Sequence, residues 1–181
     1  PGMPEKVREL AEEGIVLLKN DGVLPVGAEK KISVFGRVQH DWFYVGYGSG
    51  GDVHAPYEVG FFEGLKNAGV SYNEALKSIY DSWCAKEENE ADHGYWGHWP
   101  YFYDEIIGRA AGEDRENKLE EGSYYLTQTE KDMLSKVTAA FEKTVLVMDC
   151  GNVIDLSFTQ EYNLSAIIYA WQLGQENANA L

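Results

Sequence analysis

The sequence is short of several things, and each shortage removes a class of function. It has two cysteines, Cys84 and Cys150, with no CxxC spacing. That is too few for a disulfide framework and fits a reducing compartment. No Cys/His spacing resembles a zinc site. His93 and His98 stand five apart as possible ligands, but no acidic or cysteine partner has suitable spacing, so no metal is expected. No apolar run approaches the roughly 18 residues of a membrane span. The opening residues, Pro1-Gly2-Met3-Pro4-Glu5-Lys6, lack the apolar stretch of a signal peptide, so a cytoplasmic location is expected. Basic residues are scarce: 15 Lys and Arg against 30 Asp and Glu, a net charge of −15. Duplex-binding proteins neutralise phosphates with cationic side chains. With no basic patch in the sequence, nucleic acid is excluded as an expected partner.

What remains is ordinary globular material: 181 residues, 44% hydrophobic and 25% charged, enough for one domain with a sizeable core. Residues 5–19 read as a helix, with Val7, Leu10, Ala11, Ile15 and Leu18 at helical spacing and Asn20-Asp21-Gly22 as the stop. Ile32-Ser33-Val34-Phe35 reads as a buried strand ending at Gly36. Further helices are predicted over 57–68 and 74–86, with Asn67 and Asn73 as capping candidates, and Val70-Ser71-Tyr72 as a strand between them. Residues 127–141 form a helix opened by a capping box, Thr127 with Glu130 three residues on. Residues 144–148 and 166–170 are apolar strands, and Gly174-Gln175-Glu176 opens a last helix. Ile106-Ile107 reads as a strand end. Apolar strands alternating with helices predict an α/β fold, a three-layer α/β/α sandwich whose mostly parallel sheet is covered on both faces. Ligands of such sheets sit at the carboxyl ends of the strands. Here that means loops 36–56, 108–126, 149–163 and 171–176.

Four groups of residues in or near those loops have chemical potential. Gly46-Tyr47-Gly48-Ser49-Gly50-Gly51 is either a ligand-cradling loop or a flexible turn. Ten residues separate it from Phe35 and it has no P-loop lysine, which disfavours a nucleotide. The charged loop 108–117 contains Arg109, Glu113, Asp114, Arg115 and Glu116. It is either a solvated surface or the source of a general acid whose pKa is raised by burial or by neighbouring carboxylates. Six of the eleven residues from His93 to Tyr103 are aromatic, Trp96 and Trp99 among them. Such rings either stack on sugar faces or cover a sheet edge or partner domain. Asp155, in Cys150-Gly151-Asn152-Val153-Ile154-Asp155-Leu156, is read as the cap of a turn.

Taken in order, several segments resemble the second domain of glycoside hydrolase family 3, the family of β-glucosidases, β-xylosidases and β-N-acetylglucosaminidases. They are Ala11-Glu12-Glu13-Gly14-Ile15-Val16-Leu17-Leu18-Lys19-Asn20 with Leu24-Pro25, Val34-Phe35-Gly36, the Gly46–Gly50 run, Phe62-Glu63-Gly64-Leu65-Lys66-Asn67-Ala68-Gly69, residues 113–125, 145–157 and Ala170-Trp171-Gln172-Leu173-Gly174-Gln175-Glu176. The resemblance implies that residues 1–181 are a single α/β sandwich domain, part of a larger two-domain enzyme, packed on a TIM-type barrel that carries the nucleophilic aspartate. It implies no cofactor and a β-linked oligosaccharide or glycoside as substrate.

By the same resemblance Glu113, in Gly112-Glu113-Asp114-Arg115, is the general acid/base, with Glu116 as the alternative. Asp114 and Arg115 would orient Glu113 or the sugar, Gly48 and Ser49 would lie near the sugar at the cleavage point, and Trp96 and Trp99 would bind substrate. The family pattern places a spacer between the glutamate and the Asp-Arg pair, absent here. The aromatic stretch resembles the bacterial branch in which the sandwich precedes the barrel. Relatives also carry a helix and a fuller strand before the acid/base loop, so residues are expected to be missing between Glu105 and Ile106. The other reading is a non-catalytic sugar-binding or scaffold module.

Overall fold

A computed structural model describes residues 2–46, 55–86, 108–109 and 118–181, the pair 108–109 as backbone only. Helix α1 spans Met3–Gly14, with Pro4 and Glu5 in its first turn, and strand β1 follows at Val16–Asn20. Strand β2 is Lys31–Ile32, helix α2 Phe61–Asn67, β3 Ser71–Tyr72 and α3 Glu74–Cys84. Strand β4 is Gly108–Arg109, α4 Gln128–Ala140, β5 Val145–Cys150, β6 Ala166–Tyr169 and α5 Asn177–Ala180. The main sheet has the order β1-β6-β5-β4; β6, β5 and β4 are parallel and β1 runs antiparallel on the edge. A separate parallel pair joins β2 and β3. The fold is α/β with a mostly parallel sheet.

The expected helix over 5–19 is corrected: it ends at Gly14, and residues 16–20 form a strand. Leu17 pairs with Ile168 and Asn20 with Ala166, with a register shift between Leu17 and Lys19. The pairing is held at its end by the Lys19 ammonium, which donates to the Leu164 carbonyl (2.6 Å). Backbone ladder bonds to a distant strand override the local helical spacing. All five residues of the edge strand β1 are exposed, Leu17 at 54%. The strand expected over 32–35 shortens to Lys31–Ile32. Beyond it, the Val34 and Gly36 carbonyls accept from the Gln39 side-chain amide instead of a neighbouring strand. The strand end expected at Ile106-Ile107 lies outside the described residues, as does the Glu105–Ile106 junction.

The helix expected over 57–68 starts only at Phe61, and the remaining elements follow their sequence signals. The Thr127 hydroxyl accepts from the Glu130 amide (3.2 Å), and the Glu130 carboxylate accepts from the Thr127 amide (2.7 Å). Asn73 caps α3 by accepting from the Leu76 amide. The core is built on β5 and β6: Leu146, Met148 and Cys150 with Ile167 and Tyr169, closed by Leu134 of α4 and by Ile154, Phe158 and Leu164. Each such aliphatic side chain taken from water contributes about 1.5–3 kcal/mol, so the two central strands form the rigid floor on which the surrounding loops are set. Cys84 and Cys150 are both buried.

Candidate active site at the carboxyl ends of the strands

Three of the four loops singled out from the sequence meet, through described residues, at the carboxyl ends of β5 and β6. Asp149, next to last in β5, is 1% exposed and accepts a hydrogen bond from the Phe43 amide through Oδ2 (2.7 Å). The Phe43 carbonyl accepts from the Asn177 side chain (3.0 Å), and the Tyr44 carbonyl from the Gly174 amide (2.7 Å). The stretch leading into the glycine-rich segment is therefore tied to β5 and to the segment after β6. Its start is braced from within: Gly36 adopts φ 96°, a conformation open to glycine, and the buried Arg37 forms a 2.9 Å ion pair with Asp41. The Arg37 guanidinium also stands 5.9 Å from the Trp83 ring centre.

The segment after β6 is held just as firmly. Trp171 has φ 59°, uncommon for a non-glycine residue, and its ring packs 4.4 Å from that of Tyr169. The Tyr169 hydroxyl donates to the Asn152 carbonyl (2.5 Å), joining this turn to the loop after β5. Glu176, 6% exposed, accepts from the Tyr57 hydroxyl (2.5 Å) and the Asn179 side chain (2.7 Å), while the Gln175 carbonyl accepts from the Val59 amide. The bond to Glu176, followed by burial, raises the Tyr57 pKa, because a phenolate has no proton to donate.

The fourth loop is bracketed. Before it, β4 runs parallel to β5 with Gly108 opposite Asp149 and Arg109 opposite Cys150. After it, Lys118 donates its amide to the Ser123 hydroxyl (2.9 Å), and the Tyr124 carbonyl accepts from the Asp155 amide (2.9 Å). Asp155 itself accepts from the Ser157 amide and hydroxyl, the turn-capping role read from the sequence. Burial raises the Asp149 carboxyl well above the usual carboxylate range, with the Phe43 amide opposing the shift. Among the described residues no group of three or more His, Cys, Asp or Glu has metal-binding geometry, and no helix is long and apolar enough to cross a membrane.

The predicted site residues Glu113, Glu116, Asp114, Arg115, Ser49, Gly48, Trp96 and Trp99 lie outside the described residues. What the structure brings together is the frame around them. The residues that sequence reasoning passed over are Asp149, Asn177 and the Phe43 backbone. An aspartate inside the apolar run Val-Leu-Val-Met-Asp-Cys was the one available signal.

The chain is 37% identical to a β-glucosidase of Ruminococcus albus over 190 residues, a match covering 94% of this chain and 20% of the relative. Among solved structures, a β-glucosidase from Paenibacillus barengoltzii superposes with a TM-score of 0.90 at 36% identity, over 99% of this chain and 22% of the other. β-Glucosidase 3B from Thermotoga neapolitana, solved with glycerol, gives 0.80 at 26% identity, over 96% and 27%. The chain thus spans about a fifth to a quarter of the length of these relatives. The profile of the glycosyl hydrolase family 3 C-terminal domain matches residues 15–181. Most of the chain is accounted for by that match, and the chain belongs to the glycosyl hydrolase family 3 C-terminal domain family.

Proposed function

We propose that this chain is the acid/base-bearing domain of a retaining β-glucosidase that hydrolyses terminal β-linked glucose from oligosaccharides or glycosides. The observation that carries the reading is the convergence of loops 36–46, 149–158 and 171–177 at the carboxyl ends of β5 and β6, with Arg109 and Lys118 bracketing residues 110–117. The names of the relatives support the substrate class. The length of those relatives supports a linked partner domain, a TIM-type barrel that holds the nucleophile. In this polypeptide the sandwich would precede the barrel.

In a retaining mechanism one carboxylate attacks the anomeric carbon while a second, about 5 Å away, protonates the departing oxygen and then activates water. Glu113 takes the second role, with Glu116 as the alternative. Asp114 and Arg115 orient Glu113 or the bound sugar, since a guanidinium fork fixes a carboxylate in one geometry. Gly48 and Ser49 face the sugar at the cleavage point, and Trp96 and Trp99 offer flat apolar surfaces to sugar rings. The nucleophile would come from the barrel, so this chain alone is inactive.

The test is a paired assay of an aryl β-glucoside with the full-length protein. Glu113→Ala should lower kcat/KM by about 10²–10⁴-fold, the usual contribution of a positioned acid/base. Glu116→Ala should have a much smaller effect. Equal activity in wild type and Glu113→Ala would remove the assignment. Millimolar or tighter binding of glucose or cellobiose to the isolated chain would favour a sugar-binding module instead.

A further inference from the structure

Asp149 is the one carboxyl side chain in β5, a strand at the centre of the sheet whose other residues are Val, Leu, Met and Cys. It is 1% exposed, and its Oδ1 is buried with no hydrogen-bond partner among the described residues. Its other oxygen holds the Phe43 amide at 2.7 Å. The same two-residue stretch is gripped from the opposite side by Asn177 and Gly174, on the Phe43 and Tyr44 carbonyls. Three contacts therefore fix the backbone two residues before Gly46, and one of them is a carboxyl group.

Asp149 has no compensating cation within reach among the described groups. Burial and the Phe43 amide are what act on it. On β6 the neighbouring residues Ile168, Tyr169 and Ala170 carry no charge, and the Tyr169 hydroxyl is engaged by Asn152. On the clamped loop Phe43 and Tyr44 are uncharged, while Asp41 is paired with Arg37. After β6, Glu176 is engaged by Tyr57 and Asn179. On β4, Gly108 stands opposite Asp149, and Arg109 is registered against Cys150. A carboxylate buried with a single amide donor is strongly disfavoured, whereas the neutral acid keeps the same acceptor for Phe43.

We propose that Asp149 is a positioning residue that works un-ionised, fixing the Phe43–Tyr44 backbone and with it the start of the glycine-rich segment that contains Ser49. Its consequence for catalysis rests on the proposed function; the clamp itself does not.

The sign of the pH dependence follows from burial. The folded protein holds this proton more tightly than the unfolded chain, whose aspartates titrate near 3.9. The stabilisation is full below that value and is lost as pH rises through the raised folded value. Asparagine is the isostere of the neutral acid and cannot ionise.

The test is thermal unfolding of the full-length wild type, Asp149→Asn and Asp149→Ala from pH 4 to pH 8, with hydrogen exchange of the peptide containing Phe43. The melting temperature of Asp149→Asn should match wild type near pH 4 and exceed it by a margin that widens with pH. Exchange at Phe43 should rise at least about tenfold in Asp149→Ala, the loss of one hydrogen-bond acceptor, and stay near wild type in Asp149→Asn. Parallel melting curves, an Asp149→Asn variant that falls below wild type as pH rises, or one that does not fold would each overturn the proposal. So would unchanged Phe43 exchange in Asp149→Ala. These readouts need no turnover, so they stand apart from the Glu113 assay.

Discussion

Gly64 of α2 and Ala178 of α5 meet backbone to backbone: a Cβ placed on Gly64 would lie 2.2 Å from the Ala178 carbonyl oxygen and 2.7 Å from its carbon. Both distances are far inside van der Waals contact, so the helices approach as they do because position 64 has no side chain. The Asn67 side chain seals the same contact by donating to Asn179 (2.8 Å). We expect Gly64→Ala to destabilise the domain by about 1–3 kcal/mol despite alanine's better helix propensity, because overpacking outweighs the propensity gain of about 1 kcal/mol. Chemical denaturation measures it; an unchanged or raised midpoint would show that α5 shifts freely.

The capping box at the start of α4 gives a second expectation. Thr127 and Glu130 satisfy each other's amides, and Glu130 is fully buried. Thr127→Ala should cost about 1 kcal/mol, within the range measured for lost N-caps, and Thr127→Ser should recover most of it. Urea unfolding of the pair checks both statements.

These two contacts also mark what the sequence makes legible. A capping box is local, four residues long and chemically specific, so α4 is found with its N-terminus correct. Strands β5 and β6 are dense apolar runs bounded by polar turns, and they too are found. Val16–Asn20 fails because Ile15 and Leu18 continue the helical spacing of Val7 and Leu10. Only pairing with Ala166–Tyr169, far away in the chain, makes these residues a strand. The candidate site divides the same way. Loops 149–163 and 171–176 follow adjacent parallel strands and so emerge side by side, whereas residues 43–44 follow β2 of the separate pair and are brought to them by Asp149, Gly174 and Asn177. The Asp149 clamp is not legible, since nothing local reveals that a buried carboxyl reaches a backbone amide more than a hundred residues earlier.

At the outer surface, α3 is tied to the loop after Gly36 by charge. Asp81 accepts from Lys77 (2.6 Å) and lies 3.1 Å from His40 Nδ1. Burial pushes its carboxyl up, but the hydrogen bonds and charges of Lys77 and His40 outweigh burial and hold the pKa below the usual value. A lowered folded pKa means stability present above about pH 3.9 and lost as pH falls through the folded value. Asp81 is 39% exposed, so solvent screening keeps the effect within about 1 kcal/mol. Asp81→Asn should lower the melting temperature slightly at pH 6, and the difference should close in strong acid and shrink in high salt. A difference that persists unchanged at pH 2 would contradict the assignment.

The most direct measurement of the central claim uses the full-length protein with Glu113→Ala and an activated aryl β-glucoside, with and without azide. A glycosyl–enzyme intermediate that lacks its general base is open to a small anion needing no deprotonation. The account predicts that azide restores turnover in Glu113→Ala but not in Glu116→Ala, and that the product is β-glucosyl azide. Wild-type activity in Glu113→Ala, no azide effect, or rescue confined to Glu116→Ala would contradict it.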